Sequence, residues 1–146
     1  MKNAQALYDL IQINIDRIAE YEKAAVQTVV EDVRSFFELM AEQSNKFANE
    51  LMKILRLEGD EPSEGKTLHG KIYKNWMDIK AIFNPLTKTK SLLSSCERGE
   101  VAAQNCYLVA LKEDMPADIK DVIEYQKTNL REAYIKIKDL RNTYAS

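Results

Sequence analysis

Between Asn3 and Gly59 the chain contains neither glycine nor proline. Apolar residues recur throughout that stretch at spacings of three and four, the signature of amphipathic helix. One continuous helix of this length would be about 80 Å long, too long for a domain of ordinary size to bury. The stretch must therefore fold back on itself. The sequence predicts helix A from about Asn3 to the Thr28-Val29-Val30 region, on the stripe Leu7, Ile11, Ile15, Ile18, Ala25 and Val29. Helix B follows with Val33, Phe37, Met40, Phe47, Leu51 and Ile54. The turn is expected near Val30 to Asp32, with Asp32 as N-cap.

Clearer punctuation follows. Gly59 suits the position just past a helix end, and Asp60 to Gly65 reads as loop. A shorter helix is expected through Leu68, Ile72, Trp76, Ile79 and Phe83. Asn84-Pro85 stops it and opens helix C, with proline at the first helical position. Helix C is expected to run to about Asp114, through Leu93, Cys96, Ala103, Tyr107 and Ala110. Pro116 opens helix D, Asp118 complements its dipole, and Ile119, Ile123, Leu130, Ala133, Ile137, Leu140 and Tyr144 form its stripe.

Four long helices with short A–B and C–D links and a long B–C connection imply an all-α, ferritin-like four-helix bundle. Its one long crossover contains an extra helix, and the whole chain forms a single domain. The length of 146 residues, with 45% hydrophobic and 30% charged residues, suits one core with a charged surface. Only 4 glycines and 3 prolines argue against an all-β fold.

The net charge is −2, with both signs interspersed. Nucleic-acid binding, which needs clustered Lys and Arg, is not expected. No segment approaches the roughly 20 apolar residues of a membrane span, so no membrane partner and a cytoplasmic location are expected. Cys96 and Cys106 lie about 15 Å apart along one helix, too far to bond to each other. They read as reduced core thiols.

Function turns on the polar residues that interrupt the apolar stripes. Helix A carries Asn14 and Tyr21 on one edge and Glu22 in mid-stripe. Helix B carries Gln43 and Ser44, helix C Glu97 and Glu100, and helix D Gln126. Buried polar groups are costly unless paired, so these should meet. Counting from the turns places Asn14, Ser44, Gln43, Glu100 and Gln126 at one level. Glu22, Glu38, Glu97 and Tyr134 fall at a second, nearer the A–B turn. Gly99 in mid-helix points to a close helix–helix contact.

Two readings follow. In one, Asn14, Tyr21, Gln43, Gln126 and Tyr134 form a polar core network that sets helix register. In the other, Glu22, Glu97 and Glu100 ligate iron or manganese, assisted by Gln43 or Gln126. The dinuclear pattern of such bundles needs Glu-x-x-His on two helices. The only histidine is His69, with Lys66 three residues before it, so that motif is missing. No catalytic nucleophile–base pair and no Gly-rich phosphate loop are present. Trp76 reads as a packing anchor or a dimer contact, and His69 as exposed.

The chain resembles a bacterial ferritin-like family catalogued as a domain of unknown function (the 2383 type). The resemblance rests on Ile13-Asn14-x-Asp16, Tyr21 and Ala25, then Gly59-x-x-Pro62 and Trp76-x-x-Ile79-Lys80. Its most specific part is Cys96-Glu97-x-Gly99-Glu100-x-x-Ala103-x-x-x-Tyr107-x-x-Ala110-Leu111. Met115-Pro116-Ala117-Asp118, Gln126 and Ile137-x-x-Leu140-Arg141 complete it. The resemblance implies a ferritin-like fold and no established activity. Tyr134 and Tyr73 stand where it implies histidines, which argues for a lost or altered metal site. The leading expectation is a non-catalytic structural or partner-binding protein, as a homodimer or with another protein. The alternatives are a carboxylate-based, ferroxidase-like oxidoreductase and an adaptor presenting the crossover helix.

Overall fold

The computed structural model describes residues 3–60 and 84–144. Within them lie four helices: α1 (Ala4–Gln27), α2 (Glu31–Leu57), α3 (Pro85–Ala110) and α4 (Ala117–Thr143), with no strand among the described residues. The expected crossover helix, with Leu68, His69, Ile72, Tyr73, Trp76, Ile79 and Phe83, lies outside the described residues.

Three of the helix ends follow the turn chemistry of the sequence. Gly59 adopts φ 86°, while its N–H donates to Arg56 O (3.1 Å) and that of Asp60 to Leu55 O (2.9 Å). That pair of bonds is a Schellman cap, for which the left-handed glycine is the natural residue. Asn84 caps α3 by accepting from the N–H groups of Leu86 (3.1 Å) and Thr87 (3.0 Å), with Pro85 at the first helical position. Asp118 sits in the first turn of α4 and accepts from the Ile119 N–H.

The α1–α2 turn departs from expectation. It occupies Thr28, Val29 and Val30, so Val30 and not Asp32 is the cap residue, without a side-chain cap bond. Asp32 lies in the first turn of α2. Beyond one bond of its own, from the Val30 N–H to Thr28 Oγ1 (3.2 Å), the turn is held from outside. Arg34 donates to the carbonyls of Ala25 (3.2 Å) and Thr28 (2.6 Å), and the Thr28 and Thr89 hydroxyls meet at 2.9 Å. A cation on the last carbonyls of α1 is also favourable to its dipole. At the other end of the bundle α3 stops at Ala110, short of the expected Asp114.

α1 packs against α2 and α3, and α4 packs against α3 and, more lightly, α2. Tyr21 meets Phe37 (ring centroids 5.9 Å apart) and Arg17 meets Gln43, so α1 and α2 are antiparallel. Arg17 meets Glu100 and Thr28 meets Thr89, so α3 also runs against α1. Tyr107 meets Gln126 and Glu97 meets Arg141, which turns α4 back again. α2 and α3 therefore run in the same direction.

The stripe expected on helix A is rotated in the structure. Ile15 and Ile18 are only half-buried and Val29 is 66% exposed, whereas Leu10, Ile13, Asn14, Arg17, Tyr21 and Ala24 are fully buried. α1 sits between two neighbours, so it buries a wide arc that includes polar positions. The apolar core divides into two clusters. One gathers Leu7, Leu10, Phe47, Leu51, Ala103, Tyr107, Ile123 and neighbours. The other gathers Tyr21, Val33, Phe37, Leu92, Leu93, Cys96 and Ile137. Side chains of the polar network described below lie between them.

Candidate functional site

Arg17 is the centre of the site. Its side chain is completely buried, on the face of α1 that Asn14 and Tyr21 define at spacings of three and four. A buried guanidinium demands both a counter-charge and acceptors for its donors. Nε donates to Glu100 Oε1 at 2.7 Å, Nη1 to Asn14 Oδ1 at 2.9 Å, and Nη2 to Gln43 Oε1 at 3.0 Å. Nη2 also lies 3.5 Å from Glu100 Oε2. Burial by itself lowers the Arg17 pKa, but the Glu100 charge leads the opposing influences and the net direction is upward. Arg17 is therefore a permanent core cation. Its guanidinium carbon lies 5.7 Å from the centroid of the Tyr21 ring, within cation–π range.

The network continues across the bundle. Asn14 Nδ2 donates to Leu10 O (2.9 Å) and to the Tyr107 hydroxyl (2.8 Å). The hydroxyl in turn donates to Gln126 Oε1 at 2.6 Å. Gln126 Nε2 donates to Phe47 O (3.3 Å) and Glu50 Oε1 (3.1 Å). All four helices thus contribute to one chain of hydrogen bonds. Tyr21 and Tyr107 are held protonated. Burial first, then the Glu100 charge, pushes the Tyr21 pKa well above its ordinary value. Burial also raises Tyr107, against the lowering effect of the Asn14 bond.

Asn14, Gln43 and Gln126 are members of this network, and Tyr21 lies over Arg17. Tyr134 lies apart from it, half-buried on α4 with the Lys138 ammonium 5.4 Å from its ring centroid. Ser44 is buried and bonded to Met40 O at 2.7 Å. The three glutamates expected together as ligands stand in three environments. Glu100 is in the core on Arg17. Glu97 lies at the α3–α4 edge, 3.0 Å from Arg141 Nη1, a charge contact off the N–H direction. Glu22 is exposed and lines an open groove of about 810 Å³ between α1 and α2, with Glu38, Glu42 and Arg34. The second polar level therefore lies partly outside the core. Glu22 points outward because the buried arc of α1 centres on Arg17 and not on Ile15 and Ile18, and Glu38 is exposed on α2. Among the described residues no three His, Cys, Asp or Glu side chains gather in a metal-ligating group.

Sequence reasoning missed Arg17, Glu50 and the bonding role of Tyr107. Arg17 had a signal: it lies between Asn14 and Tyr21 on the same helical face, so a buried edge there carries it inward. Glu50 and Tyr107 had none, since their partners come from other helices.

A family model described as Domain of unknown function (DUF2383) matches residues 2–113. The chain belongs to this family. The DUF2383 match takes in α1, α2 and α3 and stops before α4, so it includes Asn14, Arg17, Gln43, Glu50, Glu100 and Tyr107 but not Gln126. No curated protein matches the chain.

Proposed function

We propose that this DUF2383 chain is a ferritin-like bundle that works as a non-catalytic structural or partner-binding protein in the cytoplasm. The helix directions support the ferritin-like reading. α2 and α3 run the same way, as the two helices that flank a long crossover do in that topology. No helix among the described residues is long and apolar enough to cross a membrane.

The observation that carries the non-catalytic reading is the Arg17–Glu100 pair, 2.7 Å apart and fully buried. A ferritin-like fold implies a dinuclear iron or manganese centre built on core carboxylates. The expected ligands do not fit one, and no three His, Cys, Asp or Glu gather among the described residues. Of the three expected ligands, Glu100 already faces a guanidinium, and Glu22 and Glu97 open elsewhere. A closed hydrogen-bond network of this kind sets the register of four helices.

Elemental analysis after anaerobic Fe²⁺ or Mn²⁺ loading of untagged protein tests this reading. The expected result is no stoichiometric metal. Stoichiometric iron or manganese that disappears in Glu97→Ala would instead establish the carboxylate-based oxidoreductase. Light scattering over a range of concentrations tests the partner-binding role, with a mass that rises with concentration expected for self-association.

A further inference from the structure

Four oxygen contacts converge on Arg17 from three helices: both carboxylate oxygens of Glu100 on α3, Asn14 Oδ1 on α1 and Gln43 Oε1 on α2. Carboxylate and amide oxygens are the ligands of hard divalent cations. We infer that these oxygens form a preformed cation site that the protein fills with its own Arg17 side chain, and that removing this side chain unmasks a site for one oxygen-seeking divalent ion such as Mn²⁺. The inference rests on the reading above, that the native core is complete without metal.

Three features support it. First, one acceptor, Asn14, is oriented by bonds that do not involve Arg17. The Asn14 amide nitrogen is committed to Leu10 O and Tyr107, so its oxygen keeps facing the guanidinium position after Arg17 is truncated. Such outer partners hold metal ligands in place in natural sites. Secondly, the charge is right. Without Arg17, Glu100 is a buried carboxylate lacking its counter-ion, an arrangement a divalent cation relieves. Thirdly, there is a way in. Gln43 lines an open groove of about 330 Å³ between α2 and α4, with Leu39, Phe47 and Tyr125. Half-exposed Gln43 both lines this groove and accepts from Arg17, so it joins the buried site to the surface.

The chain with Arg17→Ala is compared with the native chain, Arg17→Met and Arg17→Ala/Glu100→Gln, using Mn²⁺ alone as probe. Methionine fills much of the arginine volume and offers no space for a hydrated ion. Calorimetric titration and Mn²⁺ electron paramagnetic resonance should show one ion per chain in Arg17→Ala. Its affinity should exceed that of each of the other three proteins by about tenfold or more, equivalent to about 1.4 kcal/mol. Mn²⁺ should raise the Tm of Arg17→Ala alone.

A folded Arg17→Ala that binds Mn²⁺ no better than Arg17→Met overturns the inference. Should Arg17→Ala be unfolded by itself, helix content is read by circular dichroism with Mn²⁺ or with ethylguanidinium. Recovery with Mn²⁺ supports the site. Recovery only with ethylguanidinium, or with neither, overturns it. Native protein that takes up Mn²⁺ at a site lost in Glu97→Ala would overturn the non-catalytic reading instead, so the two failures are distinguishable.

Discussion

Arg17 and Glu100 are both fully buried, and burial of either charge alone is costly. Removing one partner strands the other. Glu100→Ala is expected to lower stability by about 3–5 kcal/mol, measured by urea unfolding. Replacing both residues by apolar ones, as Arg17→Met with Glu100→Leu, should cost far less than the sum of the single changes. A double-mutant cycle reads that coupling directly. Additive effects would mean that the pair does not act as a unit. The raised pKa values give a second residue-scale expectation. Burial and the Asp9 charge push the Cys106 thiol from 9.0 to about 12, and Tyr21 and Tyr107 are raised from 10.0. These groups stay neutral in the folded chain while the unfolded chain releases their protons at lower pH. Their stabilising contribution is present below pH 9 and is lost as pH climbs towards 12. Urea midpoints should fall across that window, and Cys106→Ala should delay the onset of the fall.

At the scale of elements, the helix ends divide by where their capping groups come from. The Gly59 and Asn84-Pro85 caps and the first-turn Asp118 were legible because each acts locally, within a turn of the helix end it marks. Gly59→Ala forces a side chain into positive φ and is expected to cost about 1 kcal/mol. Asn84→Ala removes acceptors from two N–H groups and should cost about the same. The α1–α2 turn was legible in its existence but not in its exact position or its cap residue. Thr28 makes one local bond, its hydroxyl accepting from the Val30 N–H, but the other bonds that hold the turn come from Arg34 on α2 and Thr89 on α3. Arg34→Ala is therefore expected to lower the Tm, with hydrogen exchange quickening first in the last turn of α1. Unchanged exchange there would show that the turn is held by packing alone.

For the molecule as a whole, the polar network joins two apolar clusters that each draw on all four helices. Neither cluster has a helix to itself, so neither can melt alone. Thermal unfolding is expected to be a single transition, with calorimetric and van't Hoff enthalpies equal. Two resolved transitions would show that the network separates the clusters more than it couples them.

By itself the sequence determined the four helices, most of their ends, the antiparallel pairing within each half and the presence of polar groups in the core. These follow from apolar spacing and from turn residues, which act over one or two turns of chain. It also identified Asn14, Gln43, Glu100 and Gln126 as inward polar positions. Only the tertiary structure decided what those groups do. Whether a carboxylate in a bundle core serves a metal or a guanidinium depends on the side chain that faces it. That side chain, Arg17, lies on another helix 83 positions away. An arginine reads as surface until an acid from elsewhere is seen to meet it. Its length and charge make it costly to bury and, once paired, able to hold three helices together.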